Sequence, residues 1–329
     1  MPQPRIVICY WADVELSFVR RSQQHCDAGC VDWALYRIKH HPSWFTQRRS
    51  LFRNFMHLGI SFARIVVSSI GSNVCVFGTN ACRAMFPFSW LFRRTLFVYN
   101  ELPEHRQGSP LRWLDQLVFK HMPFVYVSTE PRASFVRQLY RLERQVKVVE
   151  NIAFEALPKP VEEPRRDQAV FAGSITPKRF SPKDIDKFLS LQRFLGSRIV
   201  IYGTVARELS AEFAAVLEHR GNVSHDELMS RLPTFKYALL AYYQGEPNYE
   251  LCAPLKLYEY VAAGCTAISI NRNQGLLAVA GRYPNLLTFA DDIASGKWTR
   301  DEPAFLAERD AFLGEARRTN EQLVKDLVS

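Results

Sequence analysis

Two series of short apolar runs, each alternating with helix-length segments, constrain this chain more than any other feature. In the first half the runs are R-I-V-I-C-Y (5–10), N-V-C-V-F-G (73–78), T-L-F-V-Y (95–99), F-V-Y-V-S (124–128) and V-K-V-V (146–149). Stretches of helical length, such as Pro110 to Lys120 and Pro131 to Arg141, separate them. Short, β-branched runs with little polar alternation are what parallel strands look like when helices cover both faces of their sheet. A second series follows at A-V-F-A (169–172), R-I-V-I-Y (198–202), Y-A-L-L-A (237–241) and T-A-I-S-I (266–270). Between the two lies E-A-L-P-K-P-V-E-E-P-R-R-D-Q (155–168), where three prolines among charges continue no element. The expected class is α/β, with two doubly wound domains facing each other across a cleft. They are placed at 1–155 and 169–302, joined by a linker at 156–168 and followed by a helix at 303–329 that returns to the N-terminal domain.

Length fits that division: 329 residues with 47% hydrophobic content exceed what one core holds, since single cores stop growing near ~250 to 300 residues. Seven scattered cysteines make no disulfide framework in a chain this long, which points to a reducing compartment. The opening M-P-Q-P-R-I-V-I-C-Y-W-A-D carries no long apolar core of a signal peptide, and no run reaches the ~18 apolar residues of a spanning helix. The expected location is the cytoplasm.

Charge is unevenly shared. Residues 1–160 hold 21 of the 42 Lys+Arg but 11 of the 33 Asp+Glu, a balance of +10, whereas 161–329 hold 21 and 22, a balance of −1. A half-molecule field of this size concentrates anionic partners.

In doubly wound sheets, ligands sit at the carboxyl ends of the strands. After A-V-F-A comes Gly173, then S-I-T-P-K-R with Lys178 and Arg179, and after R-I-V-I-Y comes Gly203. Glycine at a strand end lets backbone approach a phosphate, and nearby cations neutralise it. A further block, A-P-L-K-L-Y-E-Y-V-A-A-G-C-T-A-I-S (253–269), puts a lysine and a glutamate into an otherwise apolar helix that runs straight into a strand.

The order F-A-G-S-I-T-P-K-R, I-V-I-Y-G, G-N-V-S-H-D-E-L-M-S-R-L and P-L-K-L-Y-E-Y-V-A-A-G resembles the nucleotide-binding half of GT-B glycosyltransferases, particularly bacterial ones that build surface polysaccharides. The resemblance covers roughly residues 168–290, and K-L-Y-E-Y-V-A-A-G is its most specific piece. It implies two Rossmann-like domains and a nucleotide-diphosphate sugar as donor substrate, with no further cofactor and no metal. By this match Glu259 would accept hydrogen bonds from the ribose hydroxyls. Lys256 and the helix N-terminus near Leu255, with Pro254 and Leu257 in the same block, would face the diphosphate. Gly173, Arg179 and Lys178 would meet that diphosphate from the first strand, and Val223 would lie beside the base. Two departures stand out. Many retaining members carry two glutamates separated by seven residues, whereas here eight residues separate Glu250 from Glu259, so the stereochemistry stays open. Ser174 stands where a basic residue is usual, and Lys178 or Arg179 is the nearest replacement.

In the first half, Glu101 follows the third strand, where a carboxylate would take a proton from an attacking sugar hydroxyl; Glu104 and Asp13 are alternatives. Arg20 and Arg21, after the first strand, would reach a donor or acceptor phosphate. Two stretches interleave aromatics with arginines, at 43–64 and 83–94. Leu51, Phe52, Phe55, Leu58 and Phe62 share one helical face, with Arg49, Arg53, His57 and Arg64 largely away from it. Such a helix suits an anionic membrane surface, where a lipid-linked or growing glycan acceptor would dock, or else packs on the sheet with its arginines in water.

H-C-D-A-G-C (25–30) lacks a second ligand pair at zinc spacing, and neither a G-x-x-x-x-G-K-[ST] loop nor G-x-G-x-x-G is present. The reading is therefore a hexosyltransferase with no nucleic-acid partner. Two alternatives remain open: a nucleotide-sugar epimerase or hydrolase on the same fold, and a basic nucleic-acid-binding protein, whose binding would be steeply salt-dependent.

Overall fold

The computed structural model describes residues 6–11, 33–38, 62–99, 101–103, 105, 107–144, 146–150, 157–158, 165–177, 180, 182–241 and 247–328. The chain divides into two compact units, Met1–Ala153 with Ala316–Ser329, and Phe154–Glu315.

The first unit holds six parallel strands in the order β2-β1-β3-β4-β5-β6. They are β1 (Ile6–Trp11), β2 (Trp33–Ile38), β3 (Asn73–Phe77), β4 (Arg94–Tyr99), β5 (Val125–Val127) and β6 (Lys147–Val148). Alternate residues point to opposite faces. Ile6, Ile8, Cys75, Phe77, Leu96, Val98 and Tyr126 form one core cluster with Leu323 and Leu327 from the C-terminal helix. Their neighbours Val7, Cys9, Val74, Val76, Phe97, Tyr99, Val125 and Val127 are equally buried. Both faces are covered, which is why these strands read as continuous apolar runs. Helices α1 (Thr79–Met85), α2 (Pro110–His121) and α3 (Glu130–Tyr140) connect the later strands. Ser109 and Thr129 cap α2 and α3 by accepting from Leu111 N and Arg132 N, with a proline in each first turn.

The second unit holds β7 (Arg166–Ala172), β8 (Ile199–Tyr202), β9 (Leu217–His219), β10 (Phe235–Leu240), β11 (Thr266–Ser269) and β12 (Leu287–Phe289). The order is β12-β11-β10-β7-β8-β9, all parallel. The chain winds outward from β7 through β8 to β9, then returns to β10 and winds the other way. The reversal leaves a crevice at the carboxyl ends of β7 and β10. Helices α4 (Pro182–Leu195), α5 (Arg207–Phe213), α6 (His225–Arg231), α7 (Pro247–Glu250), α8 (Leu255–Ala262), α9 (Gln274–Arg282) and α10 (Ala290–Ala294) complete this sheet's layers. Phe180 and Phe188 meet Phe171 and Phe213 edge to face, with centroids 5.3 to 6.4 Å apart, and anchor α4 and α5 on the sheet.

The terminal helix α11 (Glu302–Val328) crosses the unit boundary. Phe312 stacks on Tyr258 of the second unit at 4.8 Å. Further along, Asp326 of the first unit accepts from Tyr126, Lys147 and Gln322, and its carbonyl accepts from Arg94.

Three strands, β2, β9 and β12, escape the hydrophobic pattern in the sequence, and each is a sheet edge. An edge strand needs no doubly buried backbone, so L-E-H (217–219) carries charge where a central strand cannot. β7 begins at Arg166, three residues before the apolar run, because its first residues are solvated.

Candidate functional site

The loops after β7, β8 and β9 lie side by side and are joined through their backbones. Gly173 N donates to Tyr202 O at 3.0 Å, Ile175 N to Thr204 O at 2.8 Å, and Gly203 N to Gly221 O at 3.0 Å. Gly203 has φ 150°, and a Cβ placed there would stand 1.9 Å from Gly173 O. Only glycine lets these two strand ends approach so closely. The Thr204 hydroxyl donates to Ser174 Oγ at 2.9 Å across the same junction, and His219 Nε2 lies 2.8 Å from Gly203 O.

Helix α8 is clamped to this floor through one residue, Ala172, at the end of β7. The Lys256 ammonium donates to Ala172 O, and one turn later Tyr260 OH accepts from Ala172 N at 3.3 Å. Burial pushes the Tyr260 phenol well above its ordinary range, so it stays protonated. A side chain at 173 would begin 3.0 Å from Lys256 Nζ, so the glycine also leaves room for the amine.

The ends of α8 differ electrostatically. At its C-terminus Arg165 and Arg300 both donate to Gly264 O, placing cations where the helix dipole favours them. At its N-terminus Pro254 offers no capping side chain, and the first turn contains no acid. That end suits an anion. The loop leading into it is held from α9: Asn273 Nδ2 donates to Tyr249 O at 2.9 Å, and a Cβ on Gly275 would meet Cys252 O at 2.3 Å.

Glu259 follows one turn after Lys256 and is only 7% exposed, so it is no solvated charge on a covering helix. His225 Nε2 lies 4.0 Å from Glu259 Oε1, with the imidazole about half exposed. His225 opens α6, next to half-buried Val223. Helix α6 is fixed against β8 by Arg231, which donates to Tyr202 OH at 3.2 Å and lies over its ring at 5.4 Å. The arrangement offers a buried carboxylate for hydroxyl donors beside a cation and an uncapped helix end for an anion.

Of the residues singled out in the sequence, Gly173, Ser174, Gly203, Pro254, Lys256, Leu257, Glu259 and Val223 all belong to this one unit. Lys178 and Arg179 lie outside the described residues. His225, Tyr260, Gly221, Asn273 and Gly275 were not singled out. The N-Q-G at the start of α9 and the glycine of G-N-V were the available signals.

In the first unit Glu101 is exposed in the bend that follows β4, ahead of buried Leu102 and Pro103. Glu104, Asp13, Arg20 and Arg21 fall outside the described residues, as does most of 43–64. The stretch 83–94 is more structural than its pattern suggests. Arg83 grips buried Asp115 with Nε to Oδ1 at 2.9 Å and Nη2 to Oδ2 at 2.6 Å, while Tyr99 OH donates to Oδ1 at 3.1 Å. Arg94 reaches Asp326 O and lies over Phe124. Arg64, Val67, Ile70, Trp90 and Arg93 are among the described residues around these stretches that stay exposed, and Phe62 packs on Phe88 at 5.4 Å. Among the described residues no group of three His, Cys, Asp or Glu is placed to hold a metal ion, and no helix is long and apolar enough to cross a membrane.

No family model and no curated protein sequence matches the chain. Solved structures do. AviGT4, a glycosyltransferase involved in avilamycin A biosynthesis, superposes with a TM-score of 0.62 at 10% identity, over 98% of this chain and 97% of its own. Alr3699/HepE of Anabaena, solved with UDP and glucose, gives 0.60 at 11% identity, over 99% and 100%. Sucrose-phosphate synthase from Thermosynechococcus elongatus gives 0.59 at 12% identity, over 99% and 95%. The chain thus has the GT-B fold, with two Rossmann-like domains.

Proposed function

We propose that this protein is a glycosyltransferase whose second unit binds a nucleoside-diphosphate sugar. The observation that carries this reading is the pairing of buried Glu259 with Lys256, on successive turns of a helix whose uncapped N-terminus stands at the carboxyl end of β7. A carboxylate accepts hydrogen bonds only, and the vicinal hydroxyls of a ribose are two donors that match it. Lys256 and the first turn of α8 receive the diphosphate, with Gly173 and Gly203 giving the approach. Lys256 takes the cationic place that Ser174 leaves empty after β7, with Lys178 and Arg179 as further cations. Val223 lies beside the base. UDP is the first nucleotide to try, since HepE was solved with it.

The first unit is assigned the acceptor, with Glu101 as the base that takes the attacking hydroxyl's proton, and Glu104 or Asp13 in its place if Glu101 proves silent. Its +10 balance suits a phosphate-bearing carrier, with Arg20 and Arg21 as its contacts. Exposed Val67, Ile70 and Trp90, beside Arg64 and Arg93, suit an anionic leaflet. This reading gives a peripheral enzyme on the inner face of a bacterial plasma membrane, adding hexose to a lipid-linked or growing surface polysaccharide. Labelled UDP-, GDP-, ADP- and dTDP-sugars incubated with bacterial membrane extract test it. Label passing to the lipid or polymer fraction is expected; nucleotide-sugar cleavage or isomerisation without any acceptor would contradict it.

A further inference from the structure

Resting on the nucleotide reading of Glu259, we infer that His225 is a second ligand of the donor ribose, bracketing one of its two hydroxyls together with Glu259. Direct N–H···O bonds span roughly 2.7 to 3.2 Å. The 4.0 Å between His225 Nε2 and Glu259 Oε1 is too wide for one and too narrow for anything larger than a single oxygen between them. A bridging atom there must donate to the carboxylate and accept from the imidazole N–H, which a hydroxyl does and a phosphate oxygen or a base carbonyl does not. A metal ion would need further ligands, and none of the described His, Cys, Asp or Glu residues makes a third.

The backbone that carries the imidazole is fixed. Ser224 caps α6 by accepting from Glu227 N at 3.1 Å. The Glu227 side chain accepts from Arg231 Nη2 at 2.6 Å, and Arg231 is itself seated on Tyr202. The first residue of α6 is thereby fixed to the end of β8, while its ring remains about half exposed. A histidine serving only the core would be covered. Glu259, by contrast, is held within α8, so the two sides of the bracket come from separate elements, one seated on Ala172 and the other on Tyr202.

The test is calorimetric titration of whichever of UDP, GDP or ADP binds the unaltered protein most tightly, together with its 2′-deoxy and 3′-deoxy forms, against the unaltered protein, His225→Ala and His225→Gln. His225→Ala is expected to weaken the ribonucleotide about 3- to 10-fold, the worth of one hydrogen bond. It should leave one deoxy form unchanged, because that ligand already lacks the bracketed hydroxyl. His225→Gln, which retains an N–H donor, should recover part of the loss. An equal loss with all three ligands, or none, overturns the bracket while sparing the donor site. Failure of every nucleotide to bind the unaltered protein overturns the donor reading and the bracket together.

Discussion

The Lys256 ammonium donates to the carbonyl of Ala172, the last residue of β7, and so carries a positive charge from a helix onto the end of the strand where the sheet reverses its winding. An amine held there is preorganised for a diphosphate rather than recruited from solvent. Lys256→Met keeps the length of the stem and removes the charge. Nucleoside-diphosphate affinity should fall about 10- to 100-fold, matching a charge-assisted hydrogen bond. The melting temperature should move by a few degrees at most, and calorimetry with differential scanning separates the two effects.

Gly203 sits against the Gly173 carbonyl so closely that no side chain fits, at a φ of 150°. Gly203→Ala should destabilise the second unit by about 2–4 kcal/mol and abolish nucleotide binding, as the strand-end loops part. Gly196→Ala is the matched control: φ is +64° with nothing within 4 Å of an added Cβ. Its cost should be the left-handed conformation alone, about 1 kcal/mol, with binding intact. Urea unfolding of both variants checks the contrast.

Central elements were legible because central parallel strands are buried on both faces, and their apolar runs admit one interpretation. The edges of the second sheet were not: L-E-H and L-T-F are three-residue strands, too short to show a period and each paired on one side only. Lys256 and Glu259 stood out as charges inside an apolar helix. His225 did not, since its nearness to Glu259 is set by the packing of α6 and α8, 34 positions apart in number. Gly275 is explained only by the backbone of Cys252 lying against it. The stretch 83–94 misled in part, because nothing in R-A-M-F-P-F-S-W-L-F-R-R says that Arg83 will meet Asp115.

Asp115 is fully buried against Arg83 and Tyr99. Losing one partner of a buried pair costs about 3–5 kcal/mol, and removing both in favour of apolar groups costs far less. Asp115→Leu should therefore lower the urea midpoint of the first unit sharply, and Arg83→Met in the same chain should restore much of it. A double variant no better than the single would contradict this account of the cluster.

Acid should loosen the end of α11. Burial by itself would raise the Asp326 carboxyl, but hydrogen bonds from Lys147, Tyr126 and Gln322 and the Lys147 charge outweigh it, leaving the group below its ordinary 3.8. A depressed carboxylate adds stability that is whole above the ordinary value and is lost as pH falls through the lowered one. The melting temperature of the unaltered protein should drop more steeply below about pH 4 than that of Asp326→Asn, which lacks this titration but starts lower at pH 7. Parallel acid limbs in the two would refute the linkage.

The central claim is that Glu259 holds the ribose of a nucleoside diphosphate. Thermal shift with UDP, GDP, ADP, CMP and dTDP, run on the unaltered protein and on Glu259→Ala, tests it most directly, because a ligand that binds the folded state raises its melting temperature. The account predicts a rise with one diphosphate that vanishes in the variant, while the unliganded melting temperatures of the two stay close. A rise that survives Glu259→Ala, or no rise with any of the five nucleotides, would contradict it.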